Sequence, residues 1–528
     1  MVDMWIRMIA SVVCALVFCV ATIKLLGAVQ QSGYKSGAFL RWLKRKDNMA
    51  FNRLSVLALC LALASTIASL CFSFLGERLA LVVSALPFFA LWLLYFVADR
   101  RYALKVPVNY TGRVKRLFAV YLLFTAVVSY ALIALLSFLR VVNGSTLYAL
   151  VAYVPFAVMP PLLPLLLAAA NACSAVFENA RNKKFVKRAG QVLDERKLIR
   201  VGVVGSYGKT SVKNILNGIL SQKYKTLATP QSYNTPVGIA KTVTGENAEE
   251  AEVLIAEMGA RRKGDIAELC QMVKPDYAIF TGVCAQHIST FGSVEEVYAE
   301  KSKILACPTT VCGESLKPLV GENANATFVE GTQIEELQFL PTETKLTLCL
   351  EGEKISVTTK LLGKAAAENI LLAATLAKKM GLTGEQIQKG IEAVQPIPHR
   401  LQLLENGGVY ILDDGYNCNI VGAKEAVDAL ARFTGKKCIV TQGIVECGVL
   451  EEELNGKLGA IIAAANLDKV ILVGETLVTA VKNGYLAAGG DGEKLTVVKT
   501  LESAKGEYGG WLQAGDAILF LNDLPDVY

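Results

Sequence analysis

The stretch Leu198-Ile-Arg-Val-Gly-Val-Val-Gly-Ser-Tyr-Gly-Lys-Thr-Ser-Val-Lys-Asn-Ile-Leu-Asn217 leads an apolar strand pattern into a glycine turn, a lysine, two hydroxyls and a helix. Gly205 and Gly208 allow backbone N–H groups to turn toward an anion, the helix opening near Lys209 adds the positive end of its dipole, and Thr210 offers a hydroxyl to a magnesium ion. The spacing is Gly-x-x-Gly-Lys-Thr, and Gly202 lies one residue too far upstream to complete a strict Walker A loop. Gly205, Ser206, Gly208, Lys209, Thr210 and Ser211 are therefore the candidate cradle for the phosphates of ATP. A strand running into such a loop and then a helix implies an α/β domain.

Upstream of the cradle the composition is different. The 528-residue chain is 53% hydrophobic, and the excess lies at the front. Five runs are long and uncharged enough to cross a bilayer: Met8–Ala28, Leu54–Leu75, Leu79–Ala98, Leu117–Leu139 and Leu147–Ala170. Pro160, Pro161 and Pro164 predict a kink in the last, since neighbouring helices can satisfy the freed carbonyls. The loops between runs are unevenly charged. Lys35, Arg41, Lys44, Arg45, Lys46 and Arg53 fill the first, and Arg100, Arg101, Lys105, Arg113, Lys115 and Arg116 the third, whereas the second holds Glu77 and Arg78 and the fourth only Arg140. Basic loops stay on the cytoplasmic side, so the amino terminus is expected outside and everything after the basic segment Arg181–Arg188 in the cytoplasm. A cleaved signal peptide at the first run is disfavoured by its weak positive flank and the basic loop behind it.

These features predict a five-span membrane region over residues 1–175, a basic linker over 176–197, a central α/β domain over 198–398 and a smaller doubly wound domain over 399–528. Thirteen scattered cysteines without a Cys-x-x-Cys pair argue against a disulfide framework or a zinc ribbon and fit a reducing compartment. The net charge of +7 resides largely beside the apolar runs, which favours anionic lipid head groups over nucleic acid as partners.

Within the central domain, Val201–Val204, Val253–Glu257 and Tyr277–Phe280 read as buried strands and Val294–Leu305 and Ala365–Met380 as helices. Lys345–Leu362 alternates like an antiparallel hairpin added to the same sheet. The prolines of Gln395-Pro-Ile-Pro-His-Arg400 mark a linker. Val409–Asp413, Lys437–Thr441, Lys469–Val473 and Ala517–Leu521 are the strands expected beyond it.

Three further residues belong to the candidate site. Glu257 ends an apolar strand, where α/β proteins bind ligands and a carboxylate can hold magnesium. His287, one of only two histidines, follows the next strand, and Lys301 lies on the helix after that. Each has an ordinary structural reading by itself. Together, Gly205-Ser-Tyr-Gly-Lys-Thr-Ser211, Ser232-Tyr-Asn-Thr235 with Gly238, Glu257-Met-Gly-Ala260 with Gly264-Asp-Ile266, and His287 with Phe291-Gly-Ser293 have the order and spacing of the Mur ligases. Asn369, Arg400, Asp413-Asp-Gly-Tyr-Asn-Cys-Asn419 and Glu446-Cys-Gly448 fit that family's later motifs, and the chain from about Ile199 onward is most similar to its D-alanyl-D-alanine-adding branch.

The resemblance implies a P-loop central domain, a Rossmann-like C-terminal domain and an ATP- and Mg2+-dependent ligase. Such an enzyme phosphorylates a carboxylate and lets an amine capture the acyl phosphate. Carried over residue by residue, it implies that Lys209 and the loop amides hold phosphates, that Thr210, Glu257 and His287 bind magnesium, and that Lys301 is carbamylated and joins the metal site. Lys209, His287 and Lys301 are thus the implied catalytic residues, while Asn369 is placed at adenine, Arg400 at phosphate or ribose and Asp414 near the ribose. The chain departs from the family at Gly282, where Asn is usual, at Ala365-Ala366 in place of His-Asn, at Lys303 in place of an acid, and at Leu521-Asn-Asp-Leu-Pro-Asp526 in place of a Lys-Gly-Ser segment.

The resemblance further implies that the apolar runs stand where the family's soluble, UDP-gripping domain is usual. A membrane-bound ligase joining an amino acid or dipeptide to a UDP- or lipid-linked envelope precursor is the leading expectation. A poly-γ-glutamate synthetase-like ligase and a catalytically inactive nucleotide-binding membrane scaffold are the alternatives.

Overall fold

The computed structural model describes residues 2–44, 107–152, 154–230, 233–284, 291–415, 419–445, 447, 450–474 and 477–522. The chain divides into two compact units, Met1–Asn182 and Lys183–Leu524.

The first unit is helical, with helices Val2–Ala21, Ile23–Gln31, Ser36–Leu43, Gly112–Ala152 and the greater part of Val154–Glu195. Among the described residues, Gly112–Leu135 and Leu162–Glu195 are long and apolar enough to cross a membrane. The run expected to cross a bilayer, Met8–Ala28, falls on two helices bent by 55° that are together long and apolar enough to do so. The break is at Thr22, whose hydroxyl donates to the Phe18 carbonyl at 2.9 Å and meets the Tyr121 hydroxyl at 2.9 Å. A threonine that bonds back onto its own helix weakens the ladder at that turn. Large apolar side chains of Val2–Ala21 that include Trp5, Ile9, Val13, Leu16 and Val20 are exposed. The expected fifth run falls across the junction between Gly112–Ala152 and Val154–Glu195, and Pro160, Pro161 and Pro164 lie within the latter helix. The expected second and third runs, Leu54–Leu75 and Leu79–Ala98, lie outside the described residues.

The second unit opens on a six-stranded parallel sheet. Its strands are β1 (Ile199–Val204), β2 (Thr226–Ala228), β3 (Val253–Glu257), β4 (Tyr277–Phe280), β5 (Thr309–Cys312) and β6 (Ala326–Phe328), in the order β2-β3-β1-β4-β5-β6. Helices cover both faces, which is why β1 and β3 are apolar without alternation. Val201 and Val203 pack with Ile215 and Leu216 of the helix Lys209–Leu220 and with Ile370 of the helix Lys364–Lys379. Val204 faces the other way, toward Ile239, Ile266 and Ile304, in a core that also takes Ala189 and Leu193. Gly202, which stands outside the phosphate-loop spacing, is a packing glycine, since a Cβ there would lie 2.8 Å from Met258 Sδ.

The expected hairpin does not join this sheet. β8 (Thr344–Leu350) and β9 (Glu353–Thr359) pair with β7 (Ile334–Phe339) as a separate three-stranded antiparallel sheet. Its inner residues Leu346, Leu348 and Val357 enter the core on the Val201 side of the parallel sheet. The expected helix Val294–Leu305 is α-helical only over Val294–Lys301 and continues as a tighter 3-10 turn, Ser302–Ala306.

Residues 394–400 have no regular secondary structure. Beyond them, β10 (Gln402–Asn406), β11 (Val409–Asp414), β12 (Lys437–Thr441), β13 (Lys469–Val473), β14 (Leu495–Val498) and β15 (Ala517–Leu521) form a second sheet ordered β10-β11-β15-β12-β13-β14. Only β10 is antiparallel. In both sheets the strand order reverses in the middle, at β1 and at β15, where open α/β sheets place ligands at the strands' carboxyl ends.

Candidate active site

β1 delivers the loop Gly205–Gly208 to that crevice. Gly208 takes φ +73° as the residue before the helix Lys209–Leu220, and among the described residues no side-chain hydrogen bond caps the helix there. The first-turn amides are thereby left for an anion. A Cβ on Gly208 would also lie 2.6 Å from Asn369 Oδ1, so the loop and the helix Lys364–Lys379 meet without room for a side chain. The Ser206 hydroxyl is buried and lacks a hydrogen-bond partner among the described residues, a state that a bound phosphate oxygen would relieve.

Two lysines converge on the same loop. Lys209 Nζ donates to the carbonyls of Gly205 at 2.7 Å and Ser206 at 3.1 Å, and Lys301 Nζ donates to Gly205 at 3.1 Å. Burial depresses both ammonium pKa values. For Lys301, burial and the Lys209 charge bring it down to about 7, and for Lys209 the Arg400 charge pushes the same way. Cations gathered against their own repulsion around carbonyl oxygens form a site prepared for a polyanion.

Lys301 is held from behind. Its neighbour Glu300 accepts from the backbone N–H groups of Gly264 and Ile266, both at 2.8 Å, and from Lys303 Nζ at 2.5 Å. The segment Gly264-Asp-Ile266 therefore anchors the helix that carries Lys301, and Lys303 serves that anchor.

At the end of β3, Glu257 gathers a ring of partners. Oε2 accepts from Thr210 Oγ1 at 2.9 Å and from Lys213 Nζ at 3.1 Å, Oε1 accepts from Asn234 Nδ2 at 3.2 Å, and the Glu257 amide donates to Thr229 Oγ1 at 3.0 Å. A hydroxyl and a carboxylate oxygen at hydrogen-bond distance are hard donors within reach of one magnesium ion, so this pair fits the metal, with phosphate and water left to fill the remaining positions. Sequence reasoning gave roles to Thr210 and Glu257, included Asn234 only as part of the motif Ser232–Thr235, and did not reach Lys213. The signal for Lys213 was its place three residues beyond Thr210 on one helical face. His287 lies outside the described residues, as do Ser232, Tyr416–Cys418, Glu446 and Gly448.

Two cavities flank the loop and the linker. One, of about 310 Å³, is lined by Tyr207, Ser315, Glu368, Asn369, Leu371 and Leu372 among others, and so brings Asn369 beside the phosphate loop. The other, of about 380 Å³, opens at the carboxyl ends of β11, β12 and β15 beside His399, Asp413, Thr441, Gln442 and Asn522. His399 Nδ1 lies 2.8 Å from Asp413 Oδ2, and Asp414 Oδ1 accepts from the Leu401 amide at 3.0 Å. Adjacent carboxylates of β11 thus hold the linker on both sides of Arg400.

Residues 203–311 match the Mur ligase middle domain, and residues 399–521 match the domain described as Mur ligase, glutamate ligase domain. The UDP-N-acetylmuramoyl-tripeptide–D-alanyl-D-alanine ligase of Escherichia coli (strain K12) is 29% identical over 296 residues, covering 52% of this chain and 64% of that protein. The Bacillus subtilis (strain 168) protein of the same name is 27% identical, covering 52% and 62%. The chain thus spans just under two thirds of the length of these relatives. The crystal structure of the MurF ligase of Thermotoga maritima in complex with ADP superposes with a TM-score of 0.58 at 25% identity, over 65% of this chain and 80% of that one. MurF of Acinetobacter baumannii, at 23% identity and a TM-score of 0.59 over 65% of this chain and 77% of that one, shares the fold. Residues 203–311 and 399–521 thus carry the middle and C-terminal domains of the Mur ligases, after a helical N-terminal region.

Proposed function

We propose that this protein is an ATP-dependent carbon–nitrogen ligase that adds an amino acid or dipeptide to a carboxylate of a cell-wall precursor. D-Alanyl-D-alanine addition to a UDP-N-acetylmuramoyl-tripeptide, as named in the relatives, is the first reaction to test. The observation that carries this reading is the convergence of Lys209, Lys301 and the Thr210–Glu257 pair on one uncapped helix terminus.

In this reading Lys209, the amides of Gly205–Ser211 and the Ser206 hydroxyl hold the phosphates, and Asn369 binds the base. Arg400 neutralises phosphate charge or contacts the ribose as the linker turns, and Asp414 fixes that turn. Thr210 and Glu257 hold magnesium, joined by His287 and a carbamylated Lys301. The metal supplies charge neutralisation for phosphoryl transfer. Lys301 suits carbamylation because burial makes its amine neutral, hence nucleophilic, near physiological pH. Positioning and charge neutralisation then do most of the work of transfer to the acceptor carboxylate. The cavity beside Asp413 and Gln442 receives the incoming amine.

The membrane is part of the same proposal. The two apolar helices and the exposed apolar side chains of Val2–Ala21 support a multi-pass anchor in the cell membrane over residues 1–175. A linker over 176–197 would then lead to ligase domains over 198–398 and 399–528 in the cytoplasm. An anchor of this kind places the active site close to lipid-linked as well as UDP-linked acceptors.

The test is phosphate release by the full-length protein in detergent, supplied with ATP, Mg2+, D-alanyl-D-alanine and either a UDP-linked or a lipid-linked muramoyl tripeptide. Release that requires both the amine and the acceptor supports the proposal. Failure with every acceptor, alongside intact ATP binding, favours a nucleotide-binding scaffold, and turnover with glutamate as sole amine favours the poly-γ-glutamate type.

A further inference from the structure

Tyr207 sits inside the phosphate loop, between Ser206 and Gly208, yet it also forms part of the wall of the 310 Å³ cavity. Its backbone is fixed, since the Tyr207 carbonyl accepts from the Thr281 hydroxyl at the end of β4. Its ring occupies space that a side chain at position 282 would need. A Cβ on Gly282 would lie 2.2 Å from the phenol oxygen and 2.5 Å from Cζ. The hydroxyl, by contrast, is loosely held, 3.3 Å from Ser315 Oγ, a long contact in which either group can donate.

The cavity has the character of a site for a flat heterocycle. Val329, Leu371 and Leu372 supply apolar walls, while Asn369 and Ser315 supply polar edges. Because Asn369 stands within van der Waals reach of Gly208, a ligand whose phosphates rest on the loop amides has its nucleoside end here. An aromatic side chain with a polar tip can both cover a ring and donate to a sugar or base oxygen.

We propose that Tyr207 is a nucleoside-binding residue: its ring walls the base and ribose, and its hydroxyl leaves Ser315 to donate to the bound nucleoside. This rests on the nucleotide-binding reading of the phosphate loop and adds a contact that acts on the nucleoside, separate from the phosphates.

The experiment is calorimetric titration of the full-length protein in detergent, with Mg2+, against ADP and separately against inorganic tripolyphosphate. Tyr207→Ala is expected to weaken ADP binding about tenfold, through loss of the aromatic wall. Tyr207→Phe, which keeps the ring and is the milder change for folding, is expected to weaken it about threefold, as one net hydrogen bond implies. Tripolyphosphate binding should stay unchanged in both. Equal losses for ADP and tripolyphosphate would show that Tyr207 merely shapes the loop and would overturn the proposal, as would unchanged ADP binding by Tyr207→Ala. Absence of ADP binding by the unmutated protein would overturn the nucleotide reading itself, and this proposal with it.

Discussion

Lys213 Nζ lies 3.1 Å from Glu257 Oε2, and the two side chains are 1% and 2% exposed. A buried pair recovers little net energy, because both charges leave water, but deleting one partner strands the other. Lys213→Met is expected to destabilise the unit Lys183–Leu524 by about 3 kcal/mol, Glu257→Gln by a similar amount, and the double variant by clearly less than the sum. Denaturant unfolding of the four proteins measures the coupling, and strictly additive losses would show that the pair does not act as a unit.

Much of the fold was legible because its central strands are buried on both faces. Val253–Glu257, Tyr277–Phe280, Lys437–Thr441, Lys469–Val473 and Ala517–Leu521 are short apolar runs between polar or glycine-rich ends, and each is a strand with those bounds. The short strands Thr226–Ala228 and Ala326–Phe328 have no comparable signal, since three half-buried residues set no period. The hairpin's alternation revealed a half-buried strand pair but not its partner, and the core on the Val201 side, not sheet extension, decided where it went.

At the site, Lys209, Thr210 and Glu257 were readable from loop chemistry and a strand end. Lys213 was not, because a lysine on an amphipathic helix reads by default as solvated, and only the fold brings Glu257 over it. Asn234 depends similarly on a tertiary approach: a Cβ on Gly259 would lie 2.7 Å from its Cγ. Thr22 gave no warning of the helix break, because its partner Tyr121 is 99 residues away in sequence.

Gly208 should tolerate no side chain. Its φ of +73° disfavours any L-residue, and the added Cβ would press on Asn369 Oδ1. Gly208→Ala is expected to cost about 1–2 kcal/mol in backbone strain and to weaken ADP binding at least tenfold. Thermal unfolding together with ADP titration checks both, and ADP affinity retained at the level of the unmutated protein would contradict the role given to the loop.

Lys301 sets a pH dependence whose sign follows from its depressed pKa. In the unfolded chain its ammonium titrates near the ordinary value of 10.5, whereas in the folded protein it does so at about 7. Between these values the unfolded state holds more protons, so folding stability contributed by this group rises with pH. Below about 7 both states are charged and the full cost of burying the ammonium is felt. The slope approaches about 1.4 kcal/mol per pH unit at most. Lys301→Met should remove part of the rise seen from pH 7 upward, with Lys209 supplying a contribution of the same sign. Unfolding free energies measured from pH 6 to 9.5 test this, and identical slopes for the two proteins would exclude a buried, partly neutral Lys301.

Glu425 works in the opposite direction and joins the two domains of the second unit. Its Oε2 accepts from the Ala365 amide at 2.8 Å, so a carboxylate of the helix Ile420–Ala431 caps the start of the helix Lys364–Lys379, which carries Asn369. Burial raises its pKa to about 6, offset in part by that amide. For an acid shifted upward, the folded state holds more protons between about 4.5 and 6, so stability falls as pH rises through that window. Glu425→Gln keeps an acceptor for Ala365 while removing the charge. It is expected to flatten the fall and to stabilise the protein at pH 7.5 by on the order of 1–2 kcal/mol. Thermal unfolding of both proteins at pH 5 and pH 7.5 provides the measurement. A variant less stable than the original at pH 7.5 would show that the ionised carboxylate strengthens the cap by more than its burial costs.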